Sequence, residues 1–164
     1  MSDLTGQIGL VPHPHTPVEF AIEWWTRAPV HHAVLAVDEE QCVSCEPGGA
    51  RLRPITIYPD AYWSHFTLTD TQRQAIIADA NGMLGIPYGW WADAAIALAR
   101  RTPFRVPLWL AQYIESDRRS ECAQLCDKVY ADAGIHLFTK VLPSAVDPGM
   151  FVPLWRKRKW MPAQ

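Results

Sequence analysis

Apolar and polar positions change their period along this chain. In the first third, short apolar runs are cut by turn residues. Gly6 to Val11 (GQIGLV) is one such run, stopped by a Pro-His-Pro-His turn, and Val30 to Val37 (VHHAVLAV) is a second, ended by Asp38-Glu39-Glu40. Gln41 to Glu46 alternates until Pro47-Gly48-Gly49 breaks it, so it reads as the partner of Val30 to Val37 in a hairpin. Arg51 to Ile57 reads as a third strand, and Glu19 to Thr26 (EFAIEWWT) fits a short helix or a strand.

The middle of the chain turns helical. Thr69-Asp70-Thr71-Gln72 fits a capping box, with Thr69 as N-cap and Gln72 reaching back. Ile76, Ala80, Met83 and Leu84 follow at helical spacing, and Gly85 suits a left-handed cap. Trp90 to Arg101 reads as a second helix. Thr102 to Ile114 is apolar, carries two prolines and fits no element. Ser120 suits the N-cap of a third helix from about Glu121 to Ala133, stopped by Gly134. Strands first and helices after predict an α+β domain.

The chain has 164 residues, about half of them apolar and a fifth charged, which suits one globular domain and excludes a disordered one. The formal net charge is −2, but four cations stand together at Arg156, Lys157, Arg158 and Lys159. Eleven cations then face seventeen carboxylates in the rest of the chain, a balance of −6. We therefore expect one domain over residues 1–155 and a basic, solvated tail over 156–164. General nucleic-acid binding is not expected of an acidic body. The tail has the charge to touch an anionic surface. No stretch reaches the ~18 apolar residues of a membrane span. The first residues lack the basic start and apolar run of a secretory signal. This reads as a protein made in a cytosol, with release by phage or host lysis as another route.

Without an export signal, the four cysteines read as thiols rather than two disulfides. Cys122 has the most telling position. In the first turn of a helix capped by Ser120, unpaired N–H groups and the helix dipole favour thiolate, the nucleophilic form. The same residue also shares an apolar face with Cys126, Val129 and Ala133, which is equally the pattern of a core position. A nucleophilic cysteine needs a base. His13, His15, His65 and His136 lie in turns or beside helices and read as surface residues. His31 and His32 open an apolar strand, and alternation puts only one of them on the core side. Glu46, at the end of the neighbouring strand, is placed to orient such a histidine, although a solvated turn carboxylate is the plainer reading.

Cys42-Val-Ser-Cys45 and Cys122 with Cys126 also invite a zinc reading. It is discounted because Cys42 and Cys45 fall on opposite faces of one strand, and no metal or cofactor is expected. Eight tryptophans include the pairs Trp24-Trp25 and Trp90-Trp91, which serve equally as core or as the lining of a groove.

Two segments carry a family resemblance. LGIPYGWW (Leu84 to Trp91), followed by ECAQLCDKVYADAGI (Glu121 to Ile135), resembles the nucleophile region of the NlpC-type cysteine peptidases. VHHAVLAV resembles their histidine strand, GQIGLV the strand before it, and VSCEPGGARLRPI the strand after it. The order histidine, glutamate, tyrosine, cysteine resembles the circularly permuted, papain-like branch of that superfamily. The short patches run from Gly6 to about Gly149. Gln7 stands where an aspartate is common, Ala123 replaces a frequent serine, and the interval from Tyr88 to Cys122 is longer than in the unpermuted enzymes.

The resemblance implies a permuted papain-like fold, with a small antiparallel sheet or half-barrel packed against helices and the nucleophile opening a late helix. It also implies roles. Cys122 is the nucleophile, His32 the base, Glu46 the orienting group and Tyr88 a donor to the oxyanion; Trp90, Trp91 and His31 line the substrate site. The implied activity is a thiol peptidase or amidase acting on a peptide or on peptidoglycan. An acyltransferase of the same fold, acting on lipid, and a non-catalytic binding module remain alternatives.

Overall fold

The computed structural model describes residues 3–14, 28–46, 48–87, 122–139, 141 and 146–162. Its five strands form one antiparallel sheet. In chain order they are β1 (Ile8–Val11), β2 (His32–Ala36), β3 (Gln41–Glu46), β4 (Gly49–Pro54) and β5 (Tyr62–Trp63). Across the sheet they lie in the order β4-β3-β2-β1-β5. Three helices are described: α1 (Asp70–Gly82), α2 (Cys122–Asp132) and α3 (Pro148–Lys157). The α+β class expected from the sequence is the class observed. The expected helix over 90–101 and the segments 19–26 and 102–114 lie outside the described residues.

β1, β2 and β3 form where the apolar runs predict them. The turn between β2 and β3 is fixed by Asp38, whose Oδ1 accepts the amides of Glu40 and Gln41 at 2.8 and 2.6 Å. β4 is shorter than the expected run of 51–57. Pro54 ends it, and Ile55–Ile57 turn into a single turn of 3-10 helix.

Alternation divides the sheet into two unlike faces. Ile8, Leu10, Ala33, Leu35, Val43 and Cys45 point to one face and join the main core with residues of the three helices. On this face α2 packs against β2 and β3 and against α1. Val11, Val34 and Cys42 point to the other face and are covered by Ile55, Tyr58, Ala61 and Trp63, from the crossover between β4 and β5. The indole of Trp63 lies over Gly9, where any Cβ would come within 3.0 Å of the ring.

The capping box of α1 forms as its sequence requires. The Gln72 amide donates to Thr69 Oγ1 at 3.2 Å, and the Thr69 amide donates to Gln72 Oε1 at 3.0 Å. The helix ends at Gly82, three residues before the expected stop, and Gly85 takes a left-handed φ of 83° in the following turn.

α3 and β5 were not expected from the pattern. Asp147 caps α3, its side chain accepting the Met150 amide at 3.2 Å, and Pro148 opens the first turn. Pro153 within the helix disguises it in the sequence. α3 continues through Lys157, so the expected boundary at 155/156 falls inside a helix. Lys157, Arg158 and Lys159 are solvated as expected. The chain beyond them is nevertheless anchored, because Met161 is buried and Trp160 packs edge-on against Phe66 and Trp155. The Trp155 indole in turn donates to the Tyr62 carbonyl at 2.8 Å, tying α3 to β5. Apolar surface close to the cations outweighs their tendency to fray the end.

Replacing the cap by Thr69→Ala removes the side-chain acceptor of the Gln72 amide. We expect a loss of about 1 kcal/mol in unfolding free energy, read by urea denaturation, with an unchanged m-value.

Candidate functional site

The outer face of β2, β3 and β4 carries a connected polar network at one end of the sheet. Antiparallel register sets Val34 opposite Ser44, Ser44 opposite Arg51, Cys42 opposite Arg53 and Glu46 opposite Gly49. His32, the first residue of β2, therefore shares a face with Ser44 and Glu46. His32 Nε2 lies 2.8 Å from Ser44 Oγ. Ser44 Oγ donates to Glu46 Oε1 at 2.9 Å, and Tyr58 Oη donates to the same oxygen at 2.8 Å. Arg53 grips the carboxylate with two nitrogens, Nη2 to Oε2 at 2.6 Å and Nε to Oε1 at 3.3 Å.

These contacts fix the ionisation of the network. Burial alone would hold Glu46 neutral, but hydrogen bonds from Arg53, Tyr58 and Ser44 outweigh it and bring the carboxyl down to about 2. Burial pushes the Tyr58 phenol upwards, so it stays a donor. Burial and the Glu46 charge push the Cys42 thiol up to about 12, leaving it inert at neutral pH.

Ser44 Oγ also lies 2.9 Å from Tyr58 Oη, so the Ser44 hydroxyl sits at the junction of His32, Tyr58 and Glu46, and the direction of its contact with His32 Nε2 follows the imidazole tautomer.

Cys122 is the first residue of α2 and is buried in the helical-face core. The path of α2 sets its level along β2. Tyr130 Oη donates to the Gly6 carbonyl at 2.5 Å, and the Gly6 amide donates to Ala36 O, so Tyr130 stands at the far end of β2 from His32. One turn upstream, Cys126 lies next to Cys45 in the core. Continuing the β2–β3 register sets Cys45 beside Ala33 and Glu46 beside His32. One further turn, about 5.4 Å along the axis, takes Cys122 to the His32 end of the sheet. Cys122 and His32 thus belong to the same end of the sheet, where hydrogen bonds join His32 through Ser44 to Glu46. Burial pushes the Cys126 thiol well above its ordinary value.

The remaining expected residues are placed as follows. Ser44 bridges Glu46 and His32, its Oγ donating to Glu46 Oε1 at 2.9 Å and lying 2.8 Å from His32 Nε2. His31 is buried just before β2, its ring stacked 6.4 Å from that of His32 at 18°. Cys42 and Cys45 do lie on opposite faces of β3, in separate apolar clusters. Tyr88, Trp90 and Trp91 lie outside the described residues. The chain just before them runs along β4, where the Ala50 amide donates to Ile86 O at 2.9 Å and the Gly85 amide to Ala50 O at 2.8 Å. Any Cβ on Gly49 would meet the Ile86 carbonyl at 2.8 Å.

Sequence reasoning missed Ser44, Arg53 and Tyr58. For Ser44 and Arg53 a signal existed: period-two alternation puts Cys42, Ser44 and Glu46 on one face, and the hairpin register adds Arg53. For Tyr58 there was none, since it arrives from the irregular crossover after β4.

Comparison with family models, with curated proteins and with solved structures returns no match.

The lowered Glu46 carboxyl has a consequence for acid stability. A carboxylate whose folded value lies below its ordinary 4.5 contributes stability that is complete above 4.5 and is lost as pH falls towards about 2. Glu46→Gln removes both that contribution and its titration. We expect a lower melting temperature than wild type at pH 7 and a gap that narrows between pH 4.5 and 2, followed by circular dichroism. Parallel melting curves across that window would show that Glu46 carries no linked stability.

Proposed function

We propose that this chain is a papain-like cysteine hydrolase that cleaves an amide bond through a thioester on Cys122, with His32 as the base. The observation that carries the reading is the held imidazole. His32 Nε2 is bound through Ser44 to an ionised Glu46, at the end of the sheet reached by the first turn of α2. A thiol there and a strand-borne histidine with an anionic relay are the parts of papain-like acyl transfer. The resemblance of Leu84 to Trp91 and Glu121 to Ile135 to the permuted NlpC-type peptidases supports the same assignment.

In this mechanism His32 takes the Cys122 proton, and the thiolate attacks the carbonyl carbon. The resulting oxyanion is met by backbone N–H groups at the start of α2 and, by the resemblance, by the Tyr88 hydroxyl. Collapse breaks the C–N bond, and His32-H⁺ gives its proton to the leaving amine. Water, deprotonated by His32, then attacks the thioester, releasing the acid and restoring the thiol. Glu46 stabilises the imidazolium through Ser44, and Arg53 and Tyr58 keep Glu46 ionised throughout. By the same resemblance, Trp90, Trp91 and His31 line the substrate site, and a peptide or the stem peptide of peptidoglycan is the substrate. Acyl transfer to an amine or alcohol would use the same thioester.

Alkylation by iodoacetamide, with each cysteine followed by mass spectrometry on native protein, tests the pair. Cys122 is expected to react fast near neutral pH while Cys42 and Cys126 stay inert. His32→Ala should slow Cys122 roughly tenfold or more. His31→Ala serves as the neighbouring control and should have a smaller effect. A Cys122 that reacts only after unfolding, or whose rate ignores His32→Ala, would overturn the assignment.

A further inference from the structure

We propose that the end of α3 is a docking surface for an anionic lipid bilayer, with Lys157, Arg158 and Lys159 as its contacts to the headgroups. The proposal stands apart from the Cys122–His32 reading and does not depend on it.

Four cations follow one another from Arg156 to Lys159, against a balance of −6 in the rest of the chain. Lys157, Arg158 and Lys159 are exposed. The backbone that carries them is ordered by a helix stop of two hydrogen bonds. The Lys159 amide donates to the Arg156 carbonyl at 3.0 Å, and the Trp160 amide donates to the Trp155 carbonyl at 2.9 Å. The Trp160 ring completes the motif by packing 5.3 Å from that of Trp155, and it meets Phe66 at 4.8 Å. The cations are thus mounted on a fixed corner of the core, and little backbone freedom is lost when they bind.

The stop departs from the usual pattern at one residue. Its left-handed position, with a φ of 59°, ordinarily holds glycine, because a Cβ is strained there. Here it holds Lys159. A cation in the last turn complements the helix dipole, which accounts for Arg156 and Lys157. It does not account for a lysine in glycine's place when three cations already precede it. Strain kept at a single residue points to a use for its side chain. The use that these three neighbouring cations share is contact with negative charge.

A bilayer fits this surface better than nucleic acid does. The cations occupy one tip, and the acidic remainder would repel a polyanion long enough to reach past them. A flat surface touches the tip alone. Salt screens the rest, since fields between exposed charges fade over about 8 Å at physiological ionic strength. The Arg158 guanidinium lies 5.9 Å from the centre of the Trp160 ring, so a partly exposed indole stands at the foot of the cluster. Aromatic rings of this kind favour the headgroup level of a bilayer.

Sedimentation of the full chain with large unilamellar vesicles tests this. Vesicles of phosphatidylcholine mixed with phosphatidylserine should carry the protein down at about 0.15 M salt, and about 1 M salt should release it. Pure phosphatidylcholine vesicles should leave it in solution. Each cation at such a surface is worth about fivefold in partitioning, so the combined change Lys157→Gln, Arg158→Gln and Lys159→Gln should weaken binding on the order of a hundredfold. Lys128→Gln, at an exposed cation of α2, should leave binding unchanged. Lys159→Gly separates use from misfit: it should raise the melting temperature yet weaken vesicle binding about fivefold. Equal binding to neutral vesicles overturns the proposal, as does a triple variant or a Lys159→Gly variant that binds like wild type. Tighter binding to a duplex oligonucleotide than to the anionic vesicles at the same salt overturns it in favour of nucleic acid.

Discussion

A carboxylate drawn partly out of water stays ionised only if donors replace the water, and Glu46 gathers four: two nitrogens of Arg53, the Ser44 hydroxyl and the Tyr58 hydroxyl. Each comes from a different level of the structure. Ser44 is supplied by the alternation of a single strand, Arg53 by the register of a hairpin, and Tyr58 by the crossover that folds back over the sheet. The outer face cannot assemble in another register without leaving this charge unmet. Ser44 also touches His32, so one carboxylate ties sheet register to the histidine.

The other face is governed by apolar contact. Ile8, Leu10, Leu35 and Val43 meet Leu125, Val129, Phe151 and Trp155, and this burial supplies the main stabilisation available to so small a domain. Hydrogen bonds set direction within it. Tyr130 holds α2 to the Gly6 carbonyl, and Trp155 holds α3 to the Tyr62 carbonyl. The first of these matters for chemistry, because it fixes the far end of α2 and so the level along β2 at which Cys122 stands. The buried pair Gln7 and Ser64 closes the same region, with Gln7 bridging Ser64 and Phe66. A glutamine is suited to this role, since its amide both donates to the Phe66 carbonyl and accepts from the Phe66 amide without a buried charge.

Much of the local structure was readable residue by residue. Period-two alternation located β2 and β3, the Asp38 turn joined them, and Thr69 with Gln72 announced α1 through a reciprocal hydrogen bond made within four residues. Where local signals conflicted, tertiary contact decided. Pro153 argues against a helix, yet α3 forms because Phe151, Val152 and Trp155 bury one side of it while Pro153 stays exposed. The cations of 156–159 suggest a loose tail, yet Trp160 and Met161 beyond them are drawn into the core. β5 is two residues long, too short for any periodicity, and exists only because β1 offers it an edge.

The same division runs through the site. The sequence by itself determined that a cysteine opens a helix, that a histidine opens an apolar strand and that a glutamate closes the next one, since capping, alternation and turn chemistry act over a few neighbouring residues. Tertiary structure decided that Ser44 bridges Glu46 and the imidazole, and that Tyr58 and Arg53 complete the network. Those outcomes depend on strand register, crossover path and hydrogen-bond competition among residues far apart in the chain, and no local pattern encodes which donor reaches a buried carboxylate first.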